Sequence, residues 1–285
     1  MINVRMLTAA IALGASVAVL VGCGGDGAGR APVGPPAASG GKSPGAGAPP
    51  NLAPGPGGVT PVFERSAVPP DRAPRTVALT FDADMTADQG PRAAAGERFD
   101  NPGLIDALRT LKVPSTIFMT GRWAEEYPDQ ARSIGTDPLF EIANHSYSHH
   151  AFKTPCYGLP TVAQRDMASD VDRAFAAFRK AGARNVVPYF RFPGGCYDDA
   201  ALRAIAPGKV TAVQWDVVSG DAFAEDPKKV AEQVLTQVRP GSVVVLHCTR
   251  SAAPVTEEAV REIVPALRAR GYVFTKVSTL MQPAP

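Results

Sequence analysis

The chain has 285 residues, enough for one large domain or two small ones. Its formal net charge of +2 is close to balance and leaves no electrostatic footprint for a nucleic-acid partner. Only four histidines and four cysteines are present, so each can be weighed by its place in the chain.

Residues 1–23 read as a secretory signal, with Arg5 near the start and an apolar run from Met6 to Val21. The run ends in Leu20-Val21-Gly22-Cys23, which resembles the lipobox of bacterial lipoproteins, where the cysteine is lipidated and becomes the new N-terminus. The expectation is a lipid anchor at Cys23 on the outer face of the cell membrane. A plain signal peptide would give a secreted protein instead, and an uncleaved run a membrane anchor. From Gly24 to Thr60 there are 12 Gly and 8 Pro in 37 residues, with almost no large apolar side chain. Such a stretch cannot bury enough surface to offset its ordering entropy. Residues 24–71 are therefore expected to be a disordered tether about 35 Å long on average, with one folded domain over 72–285. An oxidising exterior favours disulfides. Cys156 and Cys196 both lie in Gly/Pro-rich loops and are the expected pair, while Cys248 could equally take one partner.

Thr76 to Phe81 reads as a strand that delivers Asp82 and Asp84 at its end. A polar loop follows to Gly103, then a helical stripe of Leu104, Ile105, Leu108 and Leu111. Strand Ser115–Met119, helix Arg122–Ile134 and strand Leu139–Ala143 lead into Asn144-His-Ser-Tyr-Ser-His-His150, which holds three of the four histidines. His145 and His149, four apart, would share one face of a helical turn and could reach one metal ion. A helix over Asp166–Ala181 precedes strand Val186–Phe190, which delivers Arg191. Next come a helix near Asp198–Ile205, a strand Val210–Trp215 ending at Asp216, and a helix over Pro227–Val238 opened by Asp226. Strand Ser242–Leu246 ends at His247. Thr256 is positioned to cap a last helix, Pro265 should kink it, and strand Tyr272–Val277 closes the series.

Strands alternating with helices argue for a parallel α/β fold, barrel or doubly wound. Asp82, His145, Arg191, Asp216 and His247 each fall just past the C-terminal end of an expected strand, the edge where such folds gather their active sites. Two imidazoles and a carboxylate with open positions make a catalytic zinc-type site. A second carboxylate could serve as base and a further His as acid, which suits hydrolysis of an amide or ester. The same donor set holds Fe(II) in oxygenases. No G-x-S-x-G elbow follows an expected strand to present a catalytic serine.

Thr80-Phe-Asp-Ala-Asp84, His145-Ser-Tyr-Ser-His149, Arg191-Phe-Pro-Gly-Gly195, Trp215-Asp-Val-Val-Ser-Gly-Asp221 and Leu246-His247 resemble, in order, the five motifs of the polysaccharide deacetylases, carbohydrate esterase family four. The resemblance spans about 76–277. It implies a distorted (β/α) barrel of parallel strands and a metal-dependent hydrolase of linear amides that removes N-acetyl groups from peptidoglycan, chitin or a related glycan. It further implies a metal-bound water as the attacking group. By the same resemblance Asp82 is the base, His247 the acid, and Arg191 the residue orienting the base. Asp84, His145 and His149 are the ligands of a divalent metal, Zn2+ first among candidates. Asp216 or Asp221 supports His247, Leu246 lines the pocket for the acetyl methyl, and Trp215 contacts substrate. A backbone N–H near Gly194 binds the oxyanion. The sequence departs from the family pattern in three places. Ala83 stands where the metal-binding Asp is usual, with Asp84 one residue later. Val218 and Ala222 replace an Asp and a Trp of the fourth motif. Gly194 replaces an aromatic residue, which opens the groove. These departures keep a non-catalytic glycan-binding protein, or an esterase or amidase on a non-sugar substrate, as alternatives.

Overall fold

The computed structural model describes residues 48–67 and 75–282. The signal segment, Cys23 and residues 24–47 of the expected tether lie outside them. In chain order the strands are β1 (Val62–Phe63), β2 (Arg75–Ala83), β3 (Ser115–Met119), β4 (Phe140–Asn144), β5 (Val186–Phe190), β6 (Thr211–Val213), β7 (Val217–Val218), β8 (Ser242–His247) and β9 (Tyr272–Phe274). The helices are α1 (Gly90–Ala94), α2 (Pro102–Thr110), α3 (Gly121–Glu126), α4 (Pro128–Thr136), α5 (Met167–Ala181), α6 (Asp199–Ile205), α7 (Pro227–Gln237), α8 (Thr256–Ala269) and α9 (Val277–Leu280). All strand pairings are parallel, in the order β1-β6-β5-β4-β3-β2-β8-β7, with β9 also on β2.

The sheet curls into a distorted (β/α) barrel. Residues 214–216 carry the chain from β6, near one end of the strand order, to β7 at the other. At this seam Asp216 N–H donates to Val243 O, and Arg65 bridges Ser242. Strand alternation sorts side chains between two environments. Val77, Leu79, Phe81 and Ala83 of β2 pack outward with Leu104, Leu108, Trp123 and Ile263 of the helices. Ala78 of β2 packs inward with Phe118, Ala143, Tyr189, Val213 and Val243. Truncating a fully buried outward residue such as Phe81 should cost about 3–5 kcal/mol.

The structure corrects several boundaries. Residues 48–67 are not a free tether. Tyr189 Oη donates to Pro50 O at 2.7 Å, and Leu52 N–H donates to Thr211 Oγ1 at 3.0 Å. Val59, Val62, Leu52 and Phe63 pack on the interior and α5–α6 clusters, so a few apolar anchors suffice within a Gly/Pro-rich stretch. Gly241 is required where this segment crosses, because a Cβ there would lie 2.5 Å from Ser66 O. The expected helix over 122–134 breaks at Tyr127, whose αR region is disfavoured by the following Pro128. The expected strand 210–215 is shortened to β6, which ends at Val213 before the seam. Helix α8 runs through Pro265, and Thr256 lies inside it rather than capping it.

Candidate active site

The inward-facing row of each central strand ends in a polar residue. Ala78, Thr80 and Asp82 share a face of β2, and Val243, Val245 and His247 share a face of β8. His145 follows Ala143 in phase, and Arg191 follows Tyr189 in phase. Asp82 and His247 are register partners, and Cys248 N–H donates to Asp82 O at 2.7 Å.

Arg191 is fully buried, with its guanidinium 3.8 Å from the Phe118 ring centroid and 5.3 Å from that of Trp215. Nη1 donates to Asp82 Oδ1 at 2.7 Å, Nε to Val213 O at 3.2 Å, and Nη2 to Gln214 O at 3.4 Å. A charge this deep is tolerated because it is paired and its remaining N–H groups meet carbonyls. Asp82 is thereby fixed, with Oδ2 facing His145 Nε2 at 3.6 Å.

The histidine pair does not sit on a helical turn. Residues 145–150 form an irregular loop, left-handed at Ser146 (φ 70°) and His149 (φ 57°), that brings the two rings to 5.1 Å between centroids. Hydrogen bonds hold this unusual backbone. Ser146 N–H donates to Asn144 Oδ1 at 2.8 Å, Tyr147 N–H to the buried Asp170 Oδ1 at 2.7 Å, and His149 N–H to Ser146 Oγ at 2.9 Å. His145 Nδ1–H donates to Arg191 O at 3.0 Å, which leaves Nε2 as the free lone pair. Burial pushes both imidazoles down, His149 to about 4, so both are neutral at pH 7.

Past the end of β2, Asp84 turns towards this pair, with Oδ2 3.5 Å from His149 Nε2. Thr249 holds it: the Asp84 N–H donates to Thr249 Oγ1 at 3.1 Å, and the hydroxyl donates back to Oδ1. Burial raises the Asp84 pKa, but His149, His247 and the Thr249 hydroxyl together bring it below the usual carboxylate value. At the packed position 83 stands Ala83, fully buried against the helices.

His247 is held by Asp221. Oδ1 receives His247 Nδ1–H at 2.8 Å and the Ser219 hydroxyl at 2.8 Å; Oδ2 receives the His247 N–H and the Thr256 hydroxyl, both at 2.7 Å. Burial works against the charged imidazole, but the Asp221 carboxylate outweighs it and raises His247 to about 10. His247 is therefore a cation at neutral pH, with Nε2 left to act.

Two expected roles need correction. Asp216 does not support His247. It lies at the opposite end of β8, where it accepts from Ser242 Oγ at 2.9 Å and Val243 N–H at 2.8 Å, and it closes the barrel seam. Leu246 does not face the site, because it alternates outward into the helix-packed core; Val245, in phase with His247, faces inward. Gly194 lies in the turn Pro193–Gly195 at φ 64°, where a Cβ would meet Cys156 Sγ at 2.7 Å. Cys156 is disulfide-bonded to Cys196 with Cα atoms 6.0 Å apart, and Cys248 is free and buried. Trp215 is half-buried beside Gly195 and Arg191. Sequence reasoning missed Thr249, Thr256, Ser219 and Asp170. Their only signal is being short polar residues near site loops, which is too common to single them out.

The donors suit a divalent cation in kind: two neutral imidazoles with free Nε2 atoms and an ionised carboxylate. Among the described residues, no three His, Cys, Asp or Glu side chains are already closed on a common point at ligand distance.

A family described as "Polysaccharide deacetylase" matches residues 70–213. A chitooligosaccharide deacetylase of Sinorhizobium fredii is 29% identical over 200 residues, covering 67% of this chain and 87% of that protein. Among solved structures, a peptidoglycan N-acetylglucosamine deacetylase superposes with a TM-score of 0.63 at 23% identity, covering 79% of this chain and 94% of that one. A family 4 carbohydrate esterase from Streptomyces lividans, in complex with acetate, gives a TM-score of 0.56 at 25% identity, covering 70% and 91%.

Proposed function

Because the chain belongs to the polysaccharide deacetylase family, we propose that it hydrolyses N-acetyl groups on a glycan of the cell envelope, chitin-like or peptidoglycan. One observation carries this reading. Asp82 and His247 stand in register on adjacent strands, the first held by a buried Arg191 and the second by a buried Asp221. A carboxylate placed as base opposite an imidazole placed as acid is what amide hydrolysis needs.

Asp82 accepts a proton from the attacking water as its oxygen bonds to the acetamide carbonyl carbon. Arg191 keeps the Asp82 carboxylate oriented. His247 passes its Nε2 proton to the sugar nitrogen as the C–N bond breaks, which yields acetate and a free amine. Gly194 N–H, in its left-handed turn, is the proposed donor to the developing oxyanion. Asp84, His145 and His149 would hold a divalent cation, Zn2+ being the first choice, which when bound supplies Lewis-acid polarisation of the carbonyl and of water.

The sequence around Cys23 supports an anchor lipidated at that residue, with the catalytic domain outside the membrane and the Gly/Pro-rich stretch as spacer. Mass spectrometry of the mature chain should find a lipid-modified Cys23 as its N-terminus, and in Cys23→Ala both that modification and cleavage before residue 23 should be absent.

The decisive experiment is acetate release across a panel of acetylated peptidoglycan and chitooligosaccharides, with Zn2+, Co2+ and other divalent ions compared. Release that vanishes in Asp82→Asn and His145→Ala supports the reading. Metal-loaded protein that frees acetate from no glycan sinks it.

A further inference from the structure

Four large apolar side chains are strongly exposed among the described residues, and two of them, Val218 and Phe223, lie within one short segment beside the Asp221 carboxylate. Phe223 is 82% exposed and stands at φ 59°, a backbone region that bulky L residues rarely enter. Ordinary packing does not account for this conformation, since the ring meets mostly solvent. The segment is nevertheless fixed. Phe223 N–H donates to Ala252 O at 2.6 Å and Ala224 N–H to Asp221 O at 3.1 Å, while Ala252 N–H donates to Thr249 O at 3.0 Å. The backbone that presents Phe223 is thus stitched to both Asp221 and the loop that carries Thr249.

An open cleft of about 440 Å³ lies between this segment and α7, with Phe223 among its lining residues. Its walls bring Lys229, Gln233, Glu225 and Asp226 alongside Phe223. Gln233 is oriented by its Nε2, which donates to Val218 O at 2.9 Å. Gly220 is needed at the turn (φ 70°), because a Cβ there would lie 2.8 Å from Gln233 Oε1. An aromatic face with amide, ammonium and carboxylate groups around it is complementary to a pyranose ring. Such a ring has one apolar C–H face and a rim of hydroxyls that both donate and accept.

We propose that this cleft is a separate sugar subsite, in which Phe223 stacks on a pyranose unit of the glycan chain remote from the acetamide being cleaved. Lys229 and Gln233 bind its hydroxyls. The inference deepens the proposed function and rests on its glycan substrate. It makes the enzyme selective for chain length, since only an oligomer long enough to reach past Asp221 gains the contact.

The test is calorimetric binding of chitobiose and chitopentaose, both fully N-acetylated, and of a soluble acetylated peptidoglycan strand, to the full chain and to Phe223→Ala and Phe223→Trp. Thermal melts check that each variant is folded. The expected result is at least about tenfold weaker binding of a long ligand in Phe223→Ala, with the dimer affected much less, and recovery in Phe223→Trp. Equal losses for dimer and oligomer would overturn the subsite, as would wild-type affinity in Phe223→Ala or no binding of any ligand. Acetate release read in parallel keeps the two proposals apart. Turnover whose length preference ignores Phe223 removes only the subsite, whereas Phe223-dependent binding without turnover removes only the catalytic reading.

Discussion

Asp82 and His247 face each other in register across β2 and β8, each tied from behind to a buried partner of opposite charge, Arg191 and Asp221. In the proposed hydrolysis the pairing gives the two groups opposite tasks: the Asp82 carboxylate would take a proton and the cationic His247 would give one.

The Asp221 carboxylate should control the alkaline limb of the pH profile. His247 must be protonated to act as acid, and its pKa is raised to about 10, so activity should fall as pH rises towards that value. In Asp221→Asn the main cause of the rise is gone, and the fall should move down towards the ordinary imidazole value of about 6.5. Stability follows the same sign. The folded pKa lies above the unfolded one, so the stabilisation from this pair is complete below about pH 6.5 and is lost between there and about 10. Rate–pH profiles and urea melts at several pH values check both. Asp216→Asn, at the seam, should lower stability and leave the limb where it is.

Removing Arg191 should damage activity and fold together. Arg191→Met leaves Asp82 buried without its cation, which costs about 3–5 kcal/mol of stability. Arg191→Lys should not rescue, since an ammonium cannot serve Asp82, Val213 O and Gln214 O at once. Wild-type kcat in Arg191→Lys would show that the fork geometry is dispensable.

Alternation made much of this legible beforehand. Asp82, His145, Arg191 and His247 each continue the inward row of a strand, so reading strands in steps of two puts them on one rim. Asp216 was misplaced because 210–215 reads as one strand that delivers it, while β6 stops at Val213 and the chain crosses a barrel seam whose contacts with Arg65 and Ser242 are distant in sequence. Leu246 was assigned to the pocket through the resemblance of Leu246-His247 to the fifth motif, where alternation points to Val245. The segment 48–67 was hidden by its composition, since Leu52, Val62 and Phe63 are sparse among Gly and Pro.

The reassignment of Leu246 gives a direct contrast. Leu246→Ala should cost about 2–5 kcal/mol of stability, because the side chain is fully buried against the helices, with kcat/KM retained below the melting temperature. Val245→Ala should cost less stability and change KM or kcat for the acetylated substrate. Reversed outcomes in melts and kinetics would return Leu246 to the site.

On the acid side, His149 contributes alongside His145, both imidazoles being pushed down by burial. Its pKa is lowered to about 4 in the folded chain, so folding holds it neutral where the unfolded chain, near 6.5, takes up a proton. Stability should therefore decline as pH falls from about 6.5 to about 4, and divalent-ion affinity should drop as His149 protonates near the lower value. His149→Gln should flatten that part of the stability curve. An unaltered slope would exclude His149 as its source.

Asp170 tests whether the histidine loop is held from outside. Its buried Oδ1 accepts the Tyr147 N–H at 2.7 Å, between the left-handed residues Ser146 and His149. Asp170→Ala removes that acceptor and should loosen both imidazoles, lowering divalent-ion affinity about 10–100-fold, as losses of outer hydrogen bonds to ligands do. Asp170→Asn keeps an oxygen in place and should retain most of the affinity, which separates positioning of the loop from the carboxylate's charge. Competition against a chelating dye measures both without relying on turnover. Equal affinity in Asp170→Ala and wild type would mean that Asn144 and Ser146 alone hold the loop.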